Sequence, residues 1–194
     1  MSIHDPLRQP PVLTTERVVV RMAALDDVAA VIRYFTDNEQ HLAHSRPIPS
    51  DDFLTPSFWE RQVHASLAEF RGDRSLRLFV FDRADPKRVI GNVNFTAFNR
   101  GAAHFCYLGY GLDRAHEGQG KMREALEAAI GYVFRELNMH RIMANYVPWN
   151  RRSGGLLRRL GFMVEGYARD YLFLNGRWED HIMTSLINPE WRME

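Results

Sequence analysis

The spacing of apolar positions changes period along the chain, and the changes mark out its elements. Thr14–Met22 (TTERVVVRM) is short and β-branched and predicts a strand. From Asp26, read as a helix cap, Val28, Val31, Ile32 and Phe35 recur at three and four and predict a helix to about Phe35. His41–Asp52, broken by Pro47 and Pro49, reads as loop, and Pro56 fits the first turn of a second helix ending near Gly72. Leu76–Asp82 and Val89–Phe98 read as strands around a polar turn containing Asp85-Pro86, and His104–Leu112 as an aromatic-rich strand. Met122, Leu126, Ala129, Ile130, Val133 and Leu137 form one stripe, so a helix over about Gly120–Leu137 lays that face on a sheet. Arg141–Val147 reads as a strand and Asn150–Leu160 as a helix, closed by Gly161 in a left-handed turn. Two last strands, Phe162–Leu174 and Arg177–Leu186, flank Asn175-Gly176, a strong hairpin signal.

Strand, two helices, three strands, helix, strand, helix and two strands make a mixed α/β (α+β) order, with antiparallel meanders around one β-α-β passage. Helix N-termini and strand ends meet at that passage, so a ligand is expected there. The 194 residues support one domain with a sizeable core, residues 1–11 forming a loose arm marked by Pro6, Pro10 and Pro11.

Composition narrows the function without choosing it. With 25 basic and 24 acidic side chains the net charge is +1, which argues against a generic nucleic-acid binder. Cys106 stands alone, so neither a disulfide framework nor a zinc cluster is expected, and the eight histidines show no paired ligand spacing such as HExxH; no metal is implied. Met1–Asp5 carries no basic stretch leading into an apolar run, and no segment approaches the ~20 apolar residues of a membrane span, so a cytoplasmic protein is expected. An edge strand in the C-terminal hairpin could pair or be covered, which leaves the oligomeric state open.

The segment Tyr110–Met122 (YGLDRAHEGQGKM) joins a strand to a helix. Gly118 and Gly120 remove side chains, letting backbone N–H groups approach an anion, and the helix that starts there adds uncapped amides and the positive end of its dipole. A glycine pair before a helix also serves simply to turn the chain. The chain has no GxxxxGK[ST] run and no GxGxxG after an early strand, so a P-loop and a dinucleotide fold are unsupported.

Asn150-Arg-Arg-Ser153 opens the following helix and Leu160-Gly161-Phe162 closes it. Together with Tyr110–Ala125, this arrangement resembles the GNAT N-acetyltransferase superfamily, in which a Q/R-x-x-G-x-G/A loop binds the CoA pyrophosphate. The resemblance spans about residues 12–191. Leu13–Arg17, Cys106–Tyr110, His140–Tyr146, Glu165–Tyr167, Arg169–Leu172 and Asn175–His181 are similar to the RimJ branch, the ribosomal-protein alanine N-acetyltransferases. It implies a central twisted, mostly antiparallel sheet of about seven strands flanked by about four helices, with a splayed strand pair at the acetyl-CoA site. It further implies acetyl transfer to the N-terminal alanine of a small-subunit ribosomal protein. Aligned to the family loop, Glu117 stands where Gln or Arg is usual and Met122 where Gly or Ala is usual. Lys121 is the expected compensation for Glu117.

Carried onto this chain, the cosubstrate-binding set is Tyr110, Gly111, Leu112, Glu117, Gly118, Gln119, Gly120, Lys121, Met122, Asn150 and Ser153. Gly111 has support of its own, since a glycine inside a strand marks a bulge or a close backbone approach, or makes room for a bulky neighbour. Asn150 reads as a pantetheine ligand, a helix N-cap, or both. Transfer needs a deprotonated amine, a stabilised oxyanion and a proton for the departing thiolate. Ser153 stands where relatives are proposed to hold that acid, and Tyr146 is the other hydroxyl. Among Glu165, Asp170, Asp180 and His181 in the last strands, Asp170 and Glu165 are the expected bases. Cys106 reads as a buried small hydrophobe. The donor loop leaves two other functions open: a small-molecule amine acetyltransferase, and a non-catalytic acetyl-CoA-binding ribosome assembly factor.

Overall fold

The computed structural model describes residues 7–44 and 46–193. Its strands are β1 (Val12–Thr14), β2 (Val18–Arg21), β3 (Leu76–Asp82), β4 (Asp85–Asn99), β5 (Phe105–Leu112), β6 (Arg141–Met143), β7 (Met163–Leu174) and β8 (Arg177–Ile187). The helices are α1 (Val28–Asp37), α2 (Glu39–Ala43), α3 (Pro56–Arg71), α4 (Lys121–Arg135) and α5 (Arg151–Arg159), with 3-10 turns at Leu25–Asp27 and Arg114–His116. The strands form one sheet in the order β1-β2-β3-β4-β5-β6-β8-β7, antiparallel except where β5 meets β6. The sheet is the mixed, mostly antiparallel one expected, with one more strand and one more helix.

Each difference from expectation has a local cause. The first predicted strand is two, because the chain turns at Thr15–Arg17, where the Thr15 hydroxyl and backbone N–H both engage the Val18 carbonyl. Asp26 caps nothing; Asp27 does the polar work, accepting from the Ala24 N–H at 2.7 Å and pairing with Arg21. Part of the predicted loop His41–Asp52 is helical, since α2 runs on to Ala43 with Leu42 buried, while Ser45 lies outside the described residues. The β3–β4 turn is Arg83-Ala84, where Asp82 Oδ1 accepts from the Ala84 N–H, and Asp85-Pro86 already lies in β4. The N-terminal arm is held from Leu7 onward. Arg8 reaches the Glu136 carbonyl at 3.1 Å and stands 5.1 Å over the Phe70 ring; residues 1–6 are outside the described residues.

Two apolar layers sandwich the sheet. On one face the apolar stripe from Met122 to Val133 of α4, with Leu137 just past the end of the helix at Arg135, is buried against Val18, Val20, Ile90, Val93, Cys106 and Ile142. On the other, α1 buries Val31, Tyr34 and Phe35 against Phe79, Phe81 and Val89. Asn175 (φ 47°) and Gly176 (φ 81°) close the last hairpin, and Gly161 is left-handed at φ 89°, as their chemistry requires.

The feature that positions the site is the brevity of β6. It pairs with β5 only at Phe105–Arg141, Cys106–Ile142 and Tyr107–Met143. Beyond Met143 the chain stays with β8: the Thr184 hydroxyl bonds to the Ala144 carbonyl, the Thr184 N–H to Asn145 Oδ1, and Tyr146 bridges to Ile182. The predicted strand Arg141–Val147 is thus cut short by a side-chain amide taking a ladder position. From Leu108 to Leu112 the backbone edge of β5 that would face β6 is left without a strand partner, and a gap opens between the two.

Candidate active site

The gap is bounded at one end by the β5–α4 loop. Gly118 (φ 74°) and Gly120 (φ 78°) are both left-handed, a conformation costing non-glycine residues about 1–2 kcal/mol. A Cβ on Gly118 would meet nothing within 4 Å, so its backbone faces open space. Gly120 caps the 15-residue α4 without a side chain, so no side chain occupies the first-turn N–H groups. Arg17 braces the loop from behind, donating to the Gln119 carbonyl at 2.6 Å and pairing with Glu124 at 2.7 Å. Only the tertiary structure assigns Arg17 this role; its place in the turn between β1 and β2 gives no hint of it. Gln119 turns its side chain back to the Ala115 carbonyl at 2.9 Å, so it offers the loop's backbone and not its amide.

Two unusual positions in the loop are explained. Met122 is 5% exposed and packs in the core below Gly91, where an added Cβ would lie 3.2 Å from Met122 Cε. Glu117 is neutralised by an ion pair to Arg152 of α5, and His41 Nε2 of α2 lies 3.4 Å from its other oxygen. Lys121 is not the compensating charge. Its ammonium is held 2.7 Å from Asp82 Oδ2, and His116 approaches the same oxygen at 3.5 Å. Burial works to raise the Asp82 pKa, but the Lys121 bond and the Ala84 N–H outweigh it and hold the carboxyl below its usual range.

Three predicted residues meet at the far wall. The Tyr110 hydroxyl lies 2.8 Å from the Ser153 hydroxyl, and Asn150 Oδ1 accepts from the Ser153 N–H at 3.1 Å. Asn150 is therefore the N-cap of α5. Burial pushes the Tyr110 hydroxyl up to about 12 against the opposing bond from Ser153, so it is a neutral donor at any physiological pH. The spacing of Tyr110 and Ser153 in the sequence does not show that they meet; the alternation of β5, which turns Tyr110 toward the α4 and α5 side, is the signal that points to it. Tyr146 lays its ring on Gly154, where an added Cβ would come within 2.6 to 2.8 Å of ring and hydroxyl. Leu112 packs into the core beside the gap. Gly111 makes room for bulky neighbours: an added Cβ would touch Asn92, the Tyr34 hydroxyl and Leu42 at 3.0 to 3.3 Å.

The two expected bases do not join this group. Glu165 lies on β7 beside the closed end of the sheet, ion-paired to Arg141 and accepting from the Ser185 hydroxyl at 2.7 Å. The Ser185 bond, with Arg141, holds its pKa below the ordinary carboxylate range, the wrong direction for a base. Asp170 sits exposed and left-handed (φ 46°) in a β-bulge of β7, its N–H bonded to Asp180 Oδ1 at 2.8 Å. Cys106 is fully buried, and burial pushes its thiol up to about 12, so it packs and does not attack.

Residues 17–163 match the family model of the acetyltransferase (GNAT) domain. The chain belongs to the GNAT acetyltransferases. It is 43% identical over 179 residues, 92% of either chain, to the ribosomal protein uS5-alanine N-acetyltransferase of Escherichia coli. A solved ribosomal-protein-S5-alanine acetyltransferase from Vibrio fischeri is 36% identical and superposes with a TM-score of 0.90 over 94% of this chain and 100% of the other. Mycobacterium smegmatis RimJ, solved with CoA-disulfide, is 24% identical and agrees in fold, with a TM-score of 0.82 over 96% of this chain and 89% of that one. As a GNAT N-acetyltransferase the chain uses acetyl-CoA as cosubstrate. A diphosphate fits the loop described: uncapped α4 amides, two left-handed glycines, open space at Gly118 and a neutralised Glu117. Among the described residues no helix is long and apolar enough to cross a membrane.

Proposed function

We propose that this chain acts in the cytoplasm as one GNAT domain over residues 1–194, and acetylates the N-terminal alanine of ribosomal protein uS5. The 43% identity over 92% of the chain carries this reading, because so long a match extends well beyond the donor loop. The pyrophosphate sits on Gly118–Met122, and the pantetheine arm runs in the gap between Leu108–Leu112 and Ala144–Tyr146. Asn150 spends its oxygen on the α5 cap and turns its amide N–H groups to the cosubstrate. Ser153, backed by the neutral Tyr110 hydroxyl, protonates the departing sulfur, and Tyr146 fixes the arm's far side.

Mixing the protein with acetyl-CoA and peptides beginning with the uS5 sequence, or with Ser or Met, and following CoA release with a thiol reagent tests this. Alanine-initiated peptide is expected to be fastest. Acetyl-CoA binding without CoA release on any peptide would sink the reading, and faster release with spermidine would move the acceptor to small amines.

A further inference from the structure

Successive residues of β5 face opposite sides of the sheet. Cys106, Leu108 and Tyr110 face α4 and α5, so Tyr107, Gly109 and Gly111 face the other side. The register carries that second face across the sheet, because Tyr107 lies beside Met143 and Met143 beside Ser185. Two and four residues back along β8 stand Met183 and His181. A Cβ on Gly109 would meet nothing within 4 Å, so there is open space over β5 just beyond its last rung with β6. Polar side chains gathered on this face include Tyr107, Asn145, Tyr171 and His181, with Asn92 and Asn94 of β4 beside Gly111 and Gly109. Asn145 Nδ2 donates to the Tyr171 hydroxyl at 3.3 Å, and Tyr107 hydrogen-bonds to the same hydroxyl. The Tyr171 ring stands 5.3 Å from that of His181.

His181 is 3% exposed, and its Nδ1 lies 2.9 Å from the Glu179 carbonyl. A carbonyl only accepts, so Nδ1 carries the proton, and in the neutral ring the lone pair is on Nε2. The nearby carboxylates are committed elsewhere. Glu165 is held by Ser185 and Arg141, and Asp180 by the Tyr167 hydroxyl and the Asp170 N–H. No cysteine lies on this face.

We infer that His181 is the general base of acetyl transfer, its Nε2 taking a proton from the acceptor ammonium in the space over Gly109. This rests on the acetyl-transfer reading above. An N-terminal amine has a pKa of about 8, so it arrives mostly as the ammonium at pH 7. Its nitrogen brings three protons and keeps one. One passes to Nε2 of His181, and the freed lone pair forms the N–C bond. As the C–S bond breaks, the second leaves the nitrogen while sulfur gains one through Ser153, giving amide, thiol and imidazolium. The imidazolium returns its proton to water. The groups around His181 are Tyr171 from β7, through it Tyr107 from β5 and Asn145 after β6, and on its own strand Glu179, paired to Arg177, and Asp180.

His181→Asn tests this in the full chain with acetyl-CoA and an alanine-initiated peptide. The asparagine amide can still donate to the Glu179 carbonyl from the position of Nδ1, but it puts nothing at Nε2. Removing a base is expected to lower kcat at pH 7 by about 100-fold or more. The KM for acetyl-CoA should stay within about twofold, and much of the rate should return at pH 9, where the amine is already free. A His181→Asn rate within about threefold of wild type at pH 7, or an equal loss at every pH from 6 to 9, overturns the inference. If the variant does not fold, the wild-type kcat profile decides: lack of an ionisation between pH 5 and 8 rejects the histidine. Wild-type protein that releases no CoA fails the acetyl-transfer reading, whereas an active wild type with an active variant fails only the base.

Discussion

Gly154 and Gly155 are neighbours in α5, and adding one methyl group to each separates packing against the catalytic wall from helix propensity. Alanine in place of glycine inside a helix gains about 1 kcal/mol. At Gly155 the new Cβ meets only Arg159 Nη1 at 3.5 Å, so Gly155→Ala is expected to stabilise the protein by up to about 1 kcal/mol with activity unchanged. At Gly154 the same Cβ would lie 2.6 Å from Tyr146 Cζ, 2.7 Å from Cε2 and 2.8 Å from the hydroxyl. Carbon contacts settle at ~3.5–4.0 Å, so the ring must withdraw by about 1 Å. It cannot do so by sliding its backbone, because Tyr146 exchanges hydrogen bonds with Ile182 at 3.1 and 2.8 Å. Overpacking of this kind costs about 1–3 kcal/mol, which exceeds the propensity gain. Gly154→Ala should therefore be less stable than Gly155→Ala by about 1–3 kcal/mol in urea denaturation. A displacement of about 1 Å at a positioning group should lower kcat on the order of 100-fold. CoA release under saturating acetyl-CoA reads the second effect. If both variants gain stability alike and keep their rates, the Tyr146–Gly154 contact is not part of the site.

Ser153→Ala removes the hydroxyl facing Tyr110 and should lower kcat by about 100-fold while leaving acetyl-CoA binding, measured by calorimetry, nearly intact. Glu117→Gln releases Arg152, 79% exposed in that pair, to meet a phosphate; the KM for acetyl-CoA should fall by up to about fivefold at low salt and the gain should vanish at high salt. Asp82→Asn leaves Lys121 without its carboxylate and should cost about 1–2 kcal/mol near neutrality. Since folding lowers the Asp82 pKa, its contribution is full above the ordinary carboxylate range and is lost as pH falls through the folded value. Urea melts of wild type and Asp82→Asn should thus differ by a constant amount from pH 5 to 8 and converge below about pH 4.

What was legible in the sequence was local. The α4 stripe, the Asn175-Gly176 hairpin, the left-handed Gly161, the α5 cap at Asn150 and the glycines of the donor loop each depend on a few adjacent residues. Helical period, backbone φ and capping act over less than two turns. The extent of the resemblance to the GNAT acetyltransferases added the acceptor class, which no single motif carries.

The tertiary structure decided which side chains face one another. Lys121 is adjacent to the donor loop yet binds Asp82, while Glu117 is answered by Arg152, 35 residues on, with His41 beside it. Glu165 looked available as a strand carboxylate, but cross-strand neighbours at Arg141 and Ser185 consume it. The gap itself exists because Asn145 occupies a ladder position against Thr184 and ends β6 after three residues. The grouping of Tyr107, Asn145, Tyr171 and His181 likewise comes from four separate segments. The chain's own pattern determined the elements and the donor loop, because those follow from near-neighbour sterics and burial. The chemistry of the acceptor side depended on sheet order and register, which pair residues far apart in sequence and leave no periodic trace in it.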